Sequence, residues 1–474
     1  MFASGGDLWY DRKTFSDIFR VRGDISLDGS IIVSQIKLFG GGGSHTRARA
    51  AGRSGQTERP VKKHSGLKAL SIVLIVLAVL EGLYFTAVYS RIPFVAKWRN
   101  IYIQTAMSTM RHQWLATYFI PRSVINGVMT QVEAAQKAQV GVNTSWKSAA
   151  ETSAGSTDEA DKKAAEMAGS GMTPDQIAFY ELFWEIDQTS MESYVKLHPD
   201  VVSGGWNKIK INQSGLNDDG TDIQTTMGEQ VLAIDAVNEI LIVRESGSGY
   251  RGVLAIAKDP SRLSVEMASS LGSYGQLSGD IASQHNGVLA MNASGFLDPG
   301  GNGNGGLLAG YAMSNGVAYG EHFGAWAYKR IELHSDNLFY IKDANSSVSD
   351  DCTDAVEFQP AMIIDGEKVV DYAWTGTQPR ACIGQSDKYE ILMLAIEGRM
   401  PLDGIIGTDV NTCSDILLQH HCMQAMNLDG GASAMIWYDG EYIVQSASAP
   451  LRYSGGRPLP NAFVYKSADA STAN

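Results

Sequence analysis

Hydrophobic and polar positions divide the chain into stretches of different period. The first is LKALSIVLIVLAVLEGLYFTAVYS, Leu67 to Ser90, apolar almost without break. It is about as long as a bilayer-spanning helix needs to be at ~1.5 Å per residue. Glu81 interrupts it, and a carboxylate at mid-depth costs roughly 2.5–3.5 kcal/mol on insertion scales, which the surrounding Leu, Ile and Val offset. One transmembrane helix over 67–90 is therefore expected. From Lys97 to Gln139 apolar residues recur at helical spacing, broken at Pro121, so residues 91–139 are expected to form a helical stalk. Residues 140–172, rich in Ala, Ser, Thr, Gly and charge, have few groups able to build a core and read as a linker.

After a helix start at Thr173–Pro174 and the helical run IAFYELFWEI, short runs of apolar residues alternate with Gly, Asn and Asp. EILIVR, GVLAIA, GVLAMN, AMIID, EILMLAI and AMIWYDGEYIV are read as strands, and Asp439-Gly440 inside the last as a hairpin turn. Helical patterns are fewer, near Ser261–Tyr274 and Thr412–Gln424. The expected fold class is α+β: a mixed β-sheet domain with a few helices, preceded by one transmembrane helix and a helical stalk. That domain spans 173–467, with a short tail at 468–474 and no internal repeat.

Charge adds an orientation. Residues 1–68 hold twelve Lys and Arg against six Asp and Glu, so the rest of a chain of net charge −13 carries −19. So acidic a body is a poor partner for nucleic acid, which needs clustered cations. Residues 1–66, with GGGGS at Gly40–Ser44 and an Arg/Gly/Ser-rich stretch after it, read as a flexible basic tail. Arg59, Lys62, Lys63 and Lys68 just before the apolar run should stay in the cytoplasm, leaving everything after Ser90 outside. The four cysteines, Cys352, Cys382, Cys413 and Cys422, all fall on that outer side and are disulfide candidates, with free buried thiols as the alternative. No CxxC spacing suggests zinc.

Four clusters in the outer domain carry the residue types that chemistry needs. GVLAMNASGFLDPGGNGNGG, Gly287–Gly306, is a strand that feeds Asn292 into a glycine-rich loop, and it fits neither GxGxxG nor GxxxxGKS. TQPRACIG places Arg380, whose planar fork suits phosphate, at the edge of an apolar step; a surface Arg or an ion pair is the plainer reading. EILMLAIEGR ends on Glu397 and Arg399, two positions apart and so on one face of an extended chain, as a salt bridge or as a site carboxylate beside a cation. NLDGGASAM holds Asp429-Gly430-Gly431, which the Asp439-Gly440 hairpin does not require; it is either a plain tight turn or a catalytic one. No GxSxG is present. His420-His421 lies at a helical run without HExxH and reads as a helix surface or C-terminal turn.

In this order the segments AMNASGF, PRACIG, AIEGR, NLDGGASAM and RPLPNAFVY resemble the phosphodiester glycosidase family, over roughly 225–467. The chain departs from the family pattern at Ala293-Ser294, Cys382, Glu397 and Ala432. The resemblance implies hydrolysis of the bond between an anomeric carbon and a phosphodiester oxygen, releasing a sugar such as N-acetylglucosamine. It also implies a carbohydrate phosphodiester as partner and a place in surface or exopolysaccharide metabolism. On that reading Arg380 binds phosphate, and Asp429 and Glu397 form the catalytic carboxylate pair. Asn292, Arg399, Asn427, Gly430, Gly431 and Ser433 would bind substrate. No cofactor is expected. Asp298, Asn302 and Asn304 offer oxygens of the kind calcium prefers, without EF-hand spacing. The alternative is a polysaccharide-binding or assembly protein that uses the same groove without turnover.

Overall fold

The computed structural model describes residues 65–109, 112–146, 171–216, 218–299, 301–323, 328–370, 376–445, 447–448, 451–452 and 456–468. The tail expected over 1–66 lies almost wholly outside them, as does most of the expected linker. By internal contacts the chain divides into residues 1–70 and 71–474. A helix covers Ser65–Tyr89, and its Lys68–Tyr89 stretch is long and apolar enough to cross a membrane, with side chains that are nearly all exposed.

The expected stalk consists of the helices Pro93–Met107, Trp114–Thr117 and Arg122–Ala138, the last beginning after Pro121 as the sequence implies. They share a small core of Ile103, Ala106, Ala116, Ile120, Ile125 and Val128. Their termini are tied to the β-domain, which a free-standing stalk would not be. Gln139 donates through Nε2 to the Ala361 and Val369 carbonyls. Residues 141–146, placed in the linker by composition, lie along the strand Phe339–Asp343. Thr144 N–H donates to Ile341 O at 3.0 Å, and the Trp146 indole to Phe339 O at 2.9 Å. This strand is the last of its sheet, so the segment covers backbone groups that an edge leaves open.

Helices and antiparallel sheets make the rest a mixed fold. Among the described residues the largest sheet has nine strands, with Tyr250–Ala257, Ile391–Ile396, Arg380–Ser386 and Cys422–Asn427 adjacent at its centre. Strand alternation puts Ile391, Met393 and Ala395 into one core and Leu392, Leu394 and Ile396 into the other. Burial on both faces explains why these runs read as continuously apolar. The second core is roofed by the helices Pro174–Leu182, Gln188–Leu197 and Val410–Gln419. Thr173 opens the first with a complete capping box, and Asp409 caps the last by accepting from Thr412 N–H. The first core is closed by two five-stranded sheets, which include Gly287–Asn292, Met435–Tyr438 and Asn461–Lys466 in one and Lys329–His334 and Cys352–Phe358 in the other.

Two expectations are corrected. The helix expected near Ser261–Tyr274 is a single turn over Pro260–Arg262 followed by the strand Leu263–Met267. Its alternation, with Leu263 and Val265 in the core and Ser264 and Glu266 facing away, has period two and pairs with Asn461–Lys466. Cys352, Cys382, Cys413 and Cys422 are all free and buried. Register explains one pair: Cys382 faces Asn427 across the sheet, while Cys422 faces Ser386. Cys352 belongs to a different sheet.

Candidate active site

The central strand Cys422–Asn427 delivers the chain to Leu428, whose N–H donates to Ala381 O at 2.8 Å, and then to the turn at Asp429. Gly431 N–H donates to Pro379 O at 2.9 Å, and a Cβ at Gly430 would meet that carbonyl at 2.6 Å. Gly431 has φ +62°, and a Cβ there would lie 2.8 Å from Arg399 Nη2. These glycines therefore admit the protein's own neighbours, the Pro379 backbone and the Arg399 guanidinium.

Asp429 is braced on two sides. Ser433 Oγ donates to its Oδ2 at 2.6 Å, and Asn292 Nδ2 donates to its backbone carbonyl at 2.7 Å. Asn292 Oδ1 in turn accepts from Met435 N–H. Asn292 and Ser433 are fully buried, so both position the turn and neither has the free surface of a substrate ligand. Burial pushes the Asp429 carboxyl above its ordinary value, opposed by the Ser433 hydrogen bond and by the charges of Arg457 and Arg399.

Arg457 opens the RPLPNAFVY segment, where no local pattern marks it as a site residue. Its guanidinium lies 4.3 Å from the centre of the Phe296 ring, and the glycine-rich loop comes to it at Gly303. At Gly305, with φ +63°, a Cβ would collide with Pro458 O, so the loop and the RPLP segment fit only through a glycine. Asp298 accepts twice from Gly303 N–H and Asn304 Oδ1 accepts from Gly306 N–H, which turns the oxygens considered for calcium toward closing the loop on itself.

Tyr328, also unforeseen, lies in the field of both Asp429 and Glu357, and burial raises its hydroxyl. It stacks on Phe323 and meets Phe358 edge-on, forming an aromatic wall. Glu357 is buried, accepting from Tyr311 N–H at 2.8 Å and pairing with His322 Nδ1 at 2.7 Å. No spacing in the sequence pointed to these residues, because they come from a different sheet.

Arg380 is directed elsewhere. It shares a face of its strand with Cys382, toward the helices, where its Nε donates to Thr408 O at 3.2 Å and its Nη2 to Gly376 O. Burial lowers its pKa, opposed by the nearby Cys413, Cys382 and Asp409. Two of its guanidinium nitrogens are thus engaged by backbone carbonyls on the helix-covered side of the sheet. Glu397 is held by Arg251, with Nε and Nη2 both 2.7 Å from Oε2, beside a small hollow that Arg244 and Ser214 also line. Arg399, two residues on, has φ +60°, so the strand has ended and the shared face assumed for an extended chain is lost. Asn427 donates to Gln359 O at 2.8 Å from a buried position. The structure thus gathers Asp429, Gly430, Gly431, Ser433, Asn292 and Arg399, adds Arg457 and Tyr328, and turns Arg380 and Asn427 to other partners.

Residues 285–466 match the model of a known family, the phosphodiester glycosidases, which are hydrolases. Every site residue just gathered falls inside that interval. No curated protein matches the chain. Among solved structures it is similar to the catalytic domain of zebrafish N-acetylglucosamine-1-phosphodiester alpha-N-acetylglucosaminidase, auto-inhibited by its pro-peptide. That likeness has a TM-score of 0.39 at 15% identity, over 48% of this chain and 82% of the other. A hypothetical protein from Synechocystis is similar with a TM-score of 0.32 at 13% identity, over 50% of this chain and 63% of the other.

Proposed function

We propose that the chain is a hydrolase that cleaves the anomeric C–O bond of a sugar-1-phosphodiester at Asp429. The observation that carries this is a carboxyl kept basic by burial, fixed by Ser433, with two arginines, Arg399 and Arg457, beside it. A carboxylate of raised pKa is a stronger base than an ordinary one, and two cations suit a phosphate that must leave with the bonding electrons. Water adds to the anomeric carbon as the C–O bond breaks. Its proton passes to Asp429, and the phosphomonoester departs between the guanidinium groups. Tyr328 and Phe358 supply aromatic surface against which a sugar ring can pack. Arg399 and Arg457 take the phosphate role that the sequence had given Arg380.

The helix Ser65–Tyr89 is proposed to anchor the chain in the cell membrane with the domain outside, acting on a surface or exocellular polysaccharide. N-acetylglucosamine is the sugar proposed first. A binding module without turnover is the second reading, favoured by the engagement of Glu397 with Arg251 in place of a partnership with Asp429. The test is release of free sugar from a panel of sugar-1-phosphodiesters by the full chain, with Asp429→Asn as control. Release lost in the variant supports hydrolysis. Saturable binding of the same compounds without release in the wild type selects the module.

A further inference from the structure

On the helix-covered face of the large sheet, three residues distant in sequence converge: Glu229 before the strand Val231–Asp235, Glu245 in the strand Ile240–Gly247, and His420 at the end of the helix Val410–Gln419. One ligand atom from each lies within 4.8 Å of the others. His420 Nε2 is 2.9 Å from Glu229 Oε1 and 3.5 Å from Glu245 Oε1. These separations bracket the ~3.3 Å between ligand atoms of a tetrahedral site with bonds of about 2.0–2.1 Å.

A plain ion pair leaves this arrangement incomplete. Two carboxylates face one imidazole nitrogen, and His420 Nε2 meets Glu229 at full hydrogen-bond distance but Glu245 only at 3.5 Å. Glu245 is 7% exposed, and its Oε1, aimed at the cluster, has no well-formed hydrogen bond among the described residues, His420 Nε2 lying 3.5 Å away. His420 is 2% exposed and its Nδ1 has no hydrogen-bond partner among them. Glu229 already has the outer support a ligand needs, because Thr225 Oγ1 donates to its Oε2 at 2.8 Å and leaves Oε1 for the centre. Entry is open: Glu229 and Glu245 line a cleft of about 560 Å³ shared with Tyr250, Asp415 and Gln419.

We propose that Glu229, Glu245 and His420 form a binding site for a divalent transition metal, with zinc favoured, through one imidazole nitrogen and two carboxylate oxygens. Three protein donors, one of them nitrogen, are too few for calcium, which takes six to eight oxygens, and magnesium binds few protein ligands directly. A fourth ligand would come from the cleft that Glu229 and Glu245 line. The ion ties two strands to the end of the helix that leads directly into Cys422–Asn427 and so to Asp429, which makes it a structural site that steadies the candidate active site from behind. This assignment stands independently of the reading of Asp429.

The test uses the full chain, stripped with a chelator and titrated with Zn²⁺ alone, reading bound metal per chain and thermal midpoint. One equivalent is expected, with a raised midpoint. Glu245→Gln and His420→Gln should each weaken the affinity on the order of 100-fold or more, and Thr225→Val, which keeps all three ligands, by roughly 10-fold. Absence of saturable zinc binding by the wild-type chain overturns the site, whatever the variants do. Binding equally tight in folded Glu245→Gln or Thr225→Val also overturns it. Should the ligand variants fail to fold, the wild-type titration and Thr225→Val still decide.

Discussion

Two Asp-Gly turns lie ten residues apart in NLDGGASAMIWYDG and do different work. At Asp439-Gly440 both residues have positive φ, +48° and +95°, and Tyr438 pairs with Glu441, which is a two-residue hairpin that matches strand twist. Asp439 is exposed, its carboxylate pairs with Lys210 at 2.8 Å, and its N–H donates to Val288 O at 2.9 Å. At Asp429 the carboxylate is braced by Ser433, the backbone by Asn292, and the second glycine of the turn, Gly431, is pressed against Arg399. A turn that only reverses the chain needs its own dihedrals. One that presents a functional group needs neighbours from elsewhere in the fold, and the number of such neighbours separates the two.

The largest break in this comparison is expected from Asp429→Asn, with a loss of roughly 10²–10⁴-fold in kcat for sugar release, while Asp439→Asn leaves kcat unchanged. The same Asp429→Asn change should raise the thermal midpoint at neutral pH. A carboxyl whose pKa is raised by folding binds its proton more tightly in the native state, so stability is lost as pH rises through the folded pKa, and an uncharged amide escapes that loss. A midpoint lowered at neutral pH and unchanged in acid would count against the burial argument.

Next come the arginines. Arg399→Ala and Arg457→Ala should each cost about 10²–10³-fold in kcat with the fold retained, whereas Arg380→Ala should lower the thermal midpoint, because its guanidinium holds the Thr408 and Gly376 carbonyls. Kinetics and melting of the three variants side by side check this. The glycines sharpen the contrast within the backbone. Gly431→Ala combines left-handed strain with a collision against Arg399 and should cost roughly 2–5 kcal/mol. Gly440→Ala, with open space around its Cβ, should cost only the ~1–2 kcal/mol of strain in denaturant unfolding.

Smaller effects are expected from single braces. Ser433→Ala removes a hydrogen bond that holds the Asp429 pKa down, so the acidic limb of the pH–rate profile should move to higher pH; an unmoved limb would remove Ser433 from the site. Asp439→Ala should cost ~0.2–1 kcal/mol in unfolding experiments and nothing in activity.

Local pattern determined much of this protein. Apolar runs placed the strands around Ile391–Ile396 and Gly287–Asn292, Thr173 and Pro121 marked helix starts, and the spacing of Asp439-Gly440 fixed a hairpin. Each of these rests on interactions within a few residues. The Asp429 turn stood out too, since its glycines serve no hairpin. The tertiary structure alone decided which partners these residues meet. Arg380 and Arg399 looked alike as cations at strand ends. Strand alternation then turned Arg380 toward the helices, while a positive φ at Arg399 ended the strand and brought its side chain to the Asp429 turn. Arg457, Tyr328 and Glu357 reach the site from other segments, and Glu229, Glu245 and His420 meet only because two strands and a helix end are packed on one face. Such meetings follow from sheet order and register, which short-range periodicity does not encode.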